Sequence, residues 1–202
     1  MKLFYMPGAC SLAPHIVANE AGIALDLVRV DGASKKTETE QDYLATNPNG
    51  YVPALVLDDG ETLTEASVVV QYLADRKPGN GLIPAAGEMA RYRVQQWLNF
   101  VATELHKGFS PLLKPNTPDA ARVISKEHLA KRAKFLDAHL ANHKYLTGDT
   151  FTVADAYLWT VLGWAGHVGP DLSGFANVQR FLADVAARPA VQKSLREEGL
   201  AA

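Results

Sequence analysis

A glycine- and proline-rich segment, KPGNGLIPAAG at residues 77–87, divides the chain into two parts with different hydrophobic periodicity. Because these residues interrupt strands and helices alike, no regular element is expected to run through the segment. Before it, strand-like and helix-like spacings of apolar residues alternate, whereas after it the spacing is helical. We therefore predict two domains, residues 1–77 and 88–202, joined by a linker at residues 78–87.

The first part has the element order of a thioredoxin-like domain, which contains a mixed four-stranded sheet with helices. Asp58-Asp59-Gly60 is a hairpin signal between its last two strands. In chain order, the pattern predicts a strand at 2–5, a helix at 10–21, a strand at 25–30, a helix at 36–45, strands at 53–57 and 61–64, and a helix at 65–75.

The second part is predicted to be an all-helical domain, so the fold class is α/β followed by all-α. Thr152-Val-Ala-Asp155 is a variant of the capping box at one helix start, with Thr152 as N-cap and Asp155 at the third helical position. Apolar residues at three-four spacing predict helices at 91–107, 120–143, 154–164 and 178–187.

The charge balance argues against a nucleic acid partner, because 20 basic and 22 acidic residues leave a net charge of -2. No apolar run approaches the roughly 20 residues that span a bilayer, and the chain opens on strand-like sequence instead of a signal peptide. A single cysteine agrees with a reducing compartment. These features predict a cytoplasmic protein without a membrane partner.

That cysteine, Cys10, follows the turn signal Pro7-Gly8 after the first strand, and is therefore expected at the start of the first helix. Helix amides and the helix dipole favour the thiolate there and lower its pKa. The alternative is a buried cysteine that acts as a small hydrophobic residue. No second cysteine completes a Cys-x-x-Cys motif, so any disulfide must form with another molecule.

Two further segments of the first part are candidates for binding a peptide. Val52-Pro53 opens a strand where this fold commonly has a cis peptide bond, and Val52 can offer backbone groups to an extended ligand. Glu65-Ala66-Ser67 opens a helix, so its amides can bind a carboxylate while Glu65 binds an ammonium group. The alternative for Glu65 is an acidic residue favoured only by the helix dipole.

On the first helix of the second part, Asn99, Thr103 and His106 recur at helical spacing and are predicted to share one face. An amide, a hydroxyl and an imidazole in a row can hydrogen-bond a polar ligand, although a solvated face is the alternative. The other histidines show no metal-ligand spacing and are interpreted as structural or surface residues, so no metal site is predicted.

Several stretches together resemble the bacterial beta-class glutathione transferases, over essentially the whole chain. They are MKLFYMPGACSLAPH, NPNGYVPALVLDDG, LTEASVVVQYLAD, WLNFVATELHKGFSPL, FTVADAYLWTVL and ARPAVQKSLREEGL. The resemblance implies a detoxification transferase, active as a homodimer, with reduced glutathione as co-substrate and no cofactor. It implies Cys10 and His106 as catalytic residues. The implied glutathione contacts are Cys10, Lys35, Val52, Glu65, Ala66, Asn99, Thr103, Glu104, Leu105 and His106.

Two positions depart from related patterns. The family often has Ser or Gly after the acid where this chain has Ala66, so only its backbone can contribute. Tyr5 lies near the catalytic tyrosine of other classes, but the resemblance assigns the chemistry to Cys10.

The expected reaction is attack of the glutathione thiolate on a small hydrophobic electrophile, with thiol-transferase or peroxidase side activity through Cys10. Alternatives are a glutathione-dependent disulfide reductase or dehalogenase, and a non-catalytic protein that binds glutathione and hydrophobic ligands. The predicted electrophile contacts are Met6, Phe109, Leu113 and Trp164.

Overall fold

The computed structural model describes residues 1–200 of the chain. These residues form two compact units, one made of Met1–Ile83 with the segment from Arg188 onward, the other of Pro84–Ala187. The division between Ile83 and Pro84 lies inside the segment predicted as a linker. Among the described residues, no helix is long and apolar enough to cross a membrane.

The first unit contains the mixed four-stranded sheet that the sequence predicted. Its strands lie in the order β2-β1-β3-β4, with β1 parallel to β2 and the other two pairs antiparallel. The core side chains Leu3, Ile16 and Leu55 are fully buried. The elements are β1 at Lys2–Tyr5, α1 at Leu12–Glu20, β2 at Asp26–Arg29, β3 at Ala54–Val56, β4 at Thr62–Thr64 and α2 at Ala66–Asp75.

The helix predicted at residues 36–45 is wrong. This segment forms isolated bridges and one short 3₁₀ turn at Tyr43–Ala45, capped by the side chain of Asp42. Lys35 and Glu40 adopt left-handed backbone conformations, with φ of 56° and 62°, which a helix does not allow. The segment also lacks an apolar stripe, so nothing would hold such a helix against the sheet.

The last helix, α9 at Pro189–Glu197, belongs to the first unit, although the sequence assigned residues 88–202 to one helical domain. It packs on α1 through polar contacts. Asn19 Nδ2 donates to Ser194 Oγ at 2.8 Å, and Arg188 donates from Nε and Nη2 to the Glu20 carboxylate at 2.6 and 2.9 Å. These contacts make the chain's end part of the sheet-containing unit.

The second unit is helical, as predicted. One part of its backbone, Val101–His106, forms a π-helical segment that the sequence did not predict. The buried core of the second unit includes Leu98, Leu129, Leu136 and Phe181. The helices are α3 at Met89–Phe100, α4 at Lys107–Leu113, α5 at Asp119–Leu140, α6 at Val153–Gly163, α7 at Ala165–Val168 and α8 at Ala176–Ala186.

The predicted capping box at the start of α6 is confirmed. The Asp155 side chain is fully buried and accepts from Thr152 N at 2.8 Å, Thr152 Oγ1 at 2.9 Å and Leu146 N at 2.8 Å. Burial raises the pKa of Asp155 to about 6, and these donors limit the rise. The carboxylate therefore fixes both the helix start and the preceding loop.

Candidate functional site

Cys10 lies between the turn after β1 and the N-cap of α1, Ser11. The thiol is 9% exposed, and Sγ donates to the carbonyl oxygen of Val52 at 3.1 Å. The backbone carbonyl of Cys10 accepts from Ala13 N at 3.2 Å, which ties it to the first turn of the helix. The predicted position at the helix start is thus confirmed, and the sulfur reaches the segment before β3.

The backbone at residues 51–53 is held from one side by two side chains. Tyr43 Oη and Asn47 Nδ2 both donate to the Tyr51 carbonyl, at 2.6 and 2.7 Å. The Val52-Pro53 bond is cis, as the sequence indicated. The Val52 carbonyl, expected to be available to a ligand, instead accepts from Cys10 here. A peptide ligand at this edge would therefore meet the cysteine and the Val52 backbone together.

Glu65 occupies the N-cap of α2 and has φ of 65° and ψ of 114°. For a non-glycine residue this conformation costs about 1–3 kcal/mol and is typical of functional sites. The Glu65 side chain is exposed and makes no cap bond to its own helix, while Ala66 is buried. Glu65 follows Thr64, which pairs with Ala54, so the sheet register places it beside the cis-proline segment.

Lys35 lies in the loop after β2 and is half-buried. Its Nζ donates to the Gly50 carbonyl at 3.0 Å, two residues before Val52. The first unit thus brings together Cys10, Val52, Lys35 and Glu65 at one edge of the sheet. This arrangement matches four of the predicted site residues and presents one thiol, one cation, one carboxylate and one helix N-terminus.

In the second unit, the three residues predicted to share a face, Asn99, Thr103 and His106, differ in their exposure to solvent. Asn99 and Thr103 are exposed, and Thr103 Oγ1 donates to the Asn99 carbonyl at 3.0 Å. His106 is half-buried instead. Thr103 and His106 both lie in the π-helical segment, whose i to i+5 bonding places more residues in each turn than an α-helix does, so α-helical spacing does not predict which side chains share a face.

Glu104 and Leu105 are held within their own chain. The Glu104 carboxylate forms an ion pair with Arg132 Nε at 2.7 Å, without hydrogen-bond geometry, and its backbone carbonyl contacts His128 Nε2 at 2.8 Å. Leu105 is 1% exposed, so its side chain contributes to the core. The predicted contact of each residue with glutathione stays a prediction.

His106 lies among aromatic side chains of its own unit. Its Nδ1 is 2.6 Å from Tyr157 Oη, and the imidazole meets the Trp164 ring edge-on with centroids 5.0 Å apart. Trp164 also meets the Phe109 ring edge-on, with centroids 5.7 Å apart, and the role of both residues as electrophile contacts stays a prediction. Burial, with a smaller contribution from the charge of Lys107, lowers the pKa of His106 from 6.5 to about 4. His106 is therefore neutral near pH 7.

The lowered pKa of His106 predicts a pH-dependent stability. The unfolded chain binds this proton below about pH 6.5 and the folded chain only below about pH 4, so stability falls as the pH is lowered through that window. The variant His106→Asn has no imidazole at this position and binds no proton there in this pH range. From about pH 7.5 to about pH 5 the original protein should lose about 2 kcal/mol more than this variant in urea unfolding. Parallel pH profiles would contradict the assigned pKa.

Two family models match the chain. One, described as Glutathione S-transferase, N-terminal domain, matches residues 8–76, and the other, described as Glutathione S-transferase, C-terminal domain, matches residues 100–189. Glutathione S-transferase GstA of Escherichia coli O157:H7 is 46% identical over 200 residues, which cover 99% of this chain and 100% of the relative. The chain belongs to the glutathione S-transferase family.

Solved structures of other glutathione S-transferases agree with this membership. A sphingomonad glutathione S-transferase complexed with glutathione has a TM-score of 0.96 and 46% identity, with 100% of both chains covered. The bacterial beta class glutathione S-transferase of Sphingomonas chungbukensis has a TM-score of 0.97 and 45% identity, again over 100% of both chains. The family and the fold predicted from the sequence are confirmed.

Sequence reasoning did not find every contact of the predicted site residues. Tyr157 was part of a matching stretch, but nothing local indicated that its hydroxyl meets His106. Tyr5, excluded from the chemistry on sequence grounds, is 8% exposed. Its burial, and then the charges of Glu198 and Glu38, raise the pKa of the Tyr5 phenol.

Proposed function

We propose that this member of the family conjugates the thiol of reduced glutathione to small hydrophobic electrophiles, without a cofactor. The observation that carries the proposal is the contact between Cys10 Sγ and the Val52 carbonyl, at the start of α1 and beside the cis-proline segment. The glutathione bound to the similar sphingomonad enzyme supports it.

Each part of glutathione has a chemical partner in the first unit. The extended backbone of its cysteinyl residue hydrogen-bonds to the Val52 backbone. Its glycyl carboxylate forms an ion pair with the Lys35 ammonium, which donates to the Gly50 carbonyl in the absence of a ligand. The γ-glutamyl end carries one carboxylate and one ammonium. These suit the first amides of α2, at Ala66, and the exposed Glu65 side chain.

The glutathione sulfur must be ionised near pH 7 to attack a soft electrophile. In the proposed reaction the thiol loses its proton to solvent, the sulfur forms a bond to the electrophilic carbon, and the leaving group departs with its electron pair. Cys10 and His106 donate hydrogen bonds that stabilise the anion. Asn99, Thr103, Glu104 and Leu105 remain predicted glutathione contacts.

Cys10 also supports a side activity. Its thiolate can attack the glutathione sulfur of a mixed disulfide between glutathione and another thiol, which releases that thiol and leaves glutathione bonded to Cys10. A second glutathione thiolate then attacks this bond, restores the Cys10 thiolate and leaves as oxidised glutathione. Beta-class membership is supported by the likeness to the Sphingomonas chungbukensis enzyme and by the position of Cys10. A homodimer, a cytoplasmic location and a role in detoxification are parts of the proposal that rest on the sequence resemblance.

Calorimetric titration with reduced glutathione, together with turnover of a chloronitrobenzene, tests the proposed function. We expect saturable binding and formation of the thioether. Binding without turnover across a panel of electrophiles would favour a carrier protein, and faster turnover of a glutathione mixed disulfide would favour a reductase. A protein that neither binds glutathione nor reacts would overturn the proposal.

Replacing Cys10 by alanine should separate the two activities. After treatment with oxidised glutathione, mass spectrometry should detect one glutathionyl group on the original protein and none on Cys10→Ala, because the chain has no other cysteine. Conjugation should fall by less than about tenfold, since the other donors remain. Cys10→Ser is the matched control: it keeps a donor to the Val52 carbonyl and should conjugate faster than Cys10→Ala. An adduct on Cys10→Ala would refute the assignment.

A further inference from the structure

Tyr157 has a position that the proposed function does not explain. It lies on α6 and is 2% exposed, yet its hydroxyl is 2.6 Å from Nδ1 of His106, 51 residues away in the chain. The inference drawn from this contact rests on the proposed function, because it concerns how His106 acts on glutathione.

The hydrogen in this contact can be assigned from elementary chemistry. A neutral imidazole has one nitrogen with a hydrogen and one with a lone pair. A phenol is a strong hydrogen-bond donor, whereas its oxygen is a weak acceptor because one lone pair is conjugated with the ring. Tyr157 Oη–H therefore donates to the Nδ1 lone pair, and the imidazole hydrogen lies on Nε2.

The surroundings of His106 keep the ring in this orientation. Rotation by half a turn would replace Nδ1 with a carbon beside the Tyr157 hydroxyl and lose the hydrogen bond. The Tyr157 and Trp164 rings meet the imidazole edge-on, at interplanar angles of 84° and 73°. Within residues 1–200, the structure gives Nε2 no hydrogen-bond partner, so its hydrogen can be offered to a ligand.

The charged and titratable groups near His106 do not compete for this role. Tyr157 on α6 is the titratable group that contacts the ring, and Lys107, the next residue, adds a positive charge that disfavours protonation. On α5, His128 and Arg132 are directed to Glu104 and form contacts with its carbonyl and carboxylate. The His106 imidazole therefore stays neutral, and Tyr157 fixes its tautomer.

We propose that Tyr157 is a positioning residue that holds His106 with its hydrogen on Nε2, so that His106 acts as a hydrogen-bond donor to the glutathione thiolate and not as a base. The thiol proton then passes to solvent, and His106 keeps its own hydrogen throughout. The Nε2–H bond stabilises the sulfur anion before attack and weakens as the new carbon–sulfur bond removes its charge.

Tyr157→Phe removes the hydroxyl and keeps the ring. Without the Oη–H donor, the imidazole can place its hydrogen on either nitrogen, so the donor to sulfur is partly lost. The ultraviolet absorbance of the bound thiolate, measured against pH, should give a pKa for bound glutathione raised by about 1. Near neutral pH, kcat should fall by about tenfold with little change in KM for glutathione. If His106 were a base, the lone pair would lie on Nε2 and Nδ1–H would donate to Tyr157, so kcat would also fall; the position of the imidazole hydrogen in the original protein distinguishes the two cases.

Two controls distinguish positioning from packing. Tyr92→Phe removes one hydroxyl from a side chain that is 55% exposed, and should leave the thiol pKa unchanged. His106→Gln carries a side-chain amide N–H that has no tautomer to fix. In the His106→Gln background, Tyr157→Phe should therefore leave the thiol pKa unaltered, and an equal shift in both backgrounds would overturn the proposal.

Nitrogen-15 NMR of the histidine side chains in the original protein gives an independent test that does not require the variant to fold. We expect the hydrogen of His106 on Nε2 in the absence of glutathione. A hydrogen on Nδ1, or an unshifted thiol pKa in a Tyr157→Phe protein that binds glutathione, would overturn this inference alone. A protein that binds no glutathione would overturn it together with the proposed function.

Discussion

Replacing Asp155 by alanine should lower the free energy of unfolding by about 3–5 kcal/mol, more than an ordinary helix cap contributes. The reason is the number of buried donors that share this carboxylate. Thr152 N, Thr152 Oγ1 and Leu146 N all donate to it, and the side chain is fully buried. Alanine would leave two backbone N–H groups in an apolar environment without an acceptor, at about 1–3 kcal/mol each.

Urea unfolding followed by circular dichroism measures this loss. Asp171 provides the matched control, because it also accepts from a backbone N–H and a hydroxyl, those of Ser173, but lies in an exposed loop. Asp171→Ala should cost less than about 1 kcal/mol. A similar loss for both variants would mean that burial does not determine the effect. Asp155→Asn, which retains one acceptor oxygen, should lie between them.

The sequence predicted those elements whose signals are local. Residues 53–57 and 61–64 flank a turn at which the chain reverses direction, and β3 and β4 lie within these ranges. The capping box at Thr152 was found for the same reason. Residues 36–45 look helical only by their polar composition. Lys35 and Glu40 adopt left-handed backbone conformations, and Asp42 caps only a short 3₁₀ turn.

The positions of the predicted site residues in the first unit follow from chain order and strand register. Cys10 comes after β1, and Glu65 comes after the strand that pairs with β3, so a four-stranded sheet of this order places both beside Val52. The surroundings of His106 in the second unit do not follow in this way. The π-helical segment has no sequence signal that we recognise, and it changes which side chains accompany His106. Tyr157 meets His106 through packing of α6, which periodicity alone does not specify.

The assignment of the last helix also required tertiary contacts. Residues 189–197 continue a helical part of the chain, so pattern alone groups them with the second unit. His15, interpreted from sequence as a structural or surface residue, is 2% exposed and joins α1 to this helix. Its Nδ1 is 3.0 Å from Glu198 Oε1, and its Nε2 is 2.8 Å from Glu197 Oε2. No local signal connects residues separated by more than 180 positions.

Replacing His15 by leucine should therefore lower the free energy of unfolding by about 3–5 kcal/mol, because it leaves a buried carboxylate without its main partner. The Glu198 side chain is 0% exposed. Among residues 1–200, its remaining donor would be Gly8 N, at 3.0 Å. Gly8 lies in the turn that leads to Cys10, so the variant should also bind glutathione more weakly.

Glu197→Gln is the matched control for His15→Leu, since it changes the other carboxylate that contacts the same imidazole. The Glu197 side chain is 37% exposed, and water can replace the lost interaction, so the expected cost is below about 1 kcal/mol. Urea unfolding and glutathione titration should be measured on both variants. If His15→Leu unfolds at the same urea concentration as Glu197→Gln and binds glutathione equally well, the buried Glu198 carboxylate does not depend on His15. The large loss expected here comes from an unpaired buried charge, because the exposed ion pair on the same imidazole contributes little.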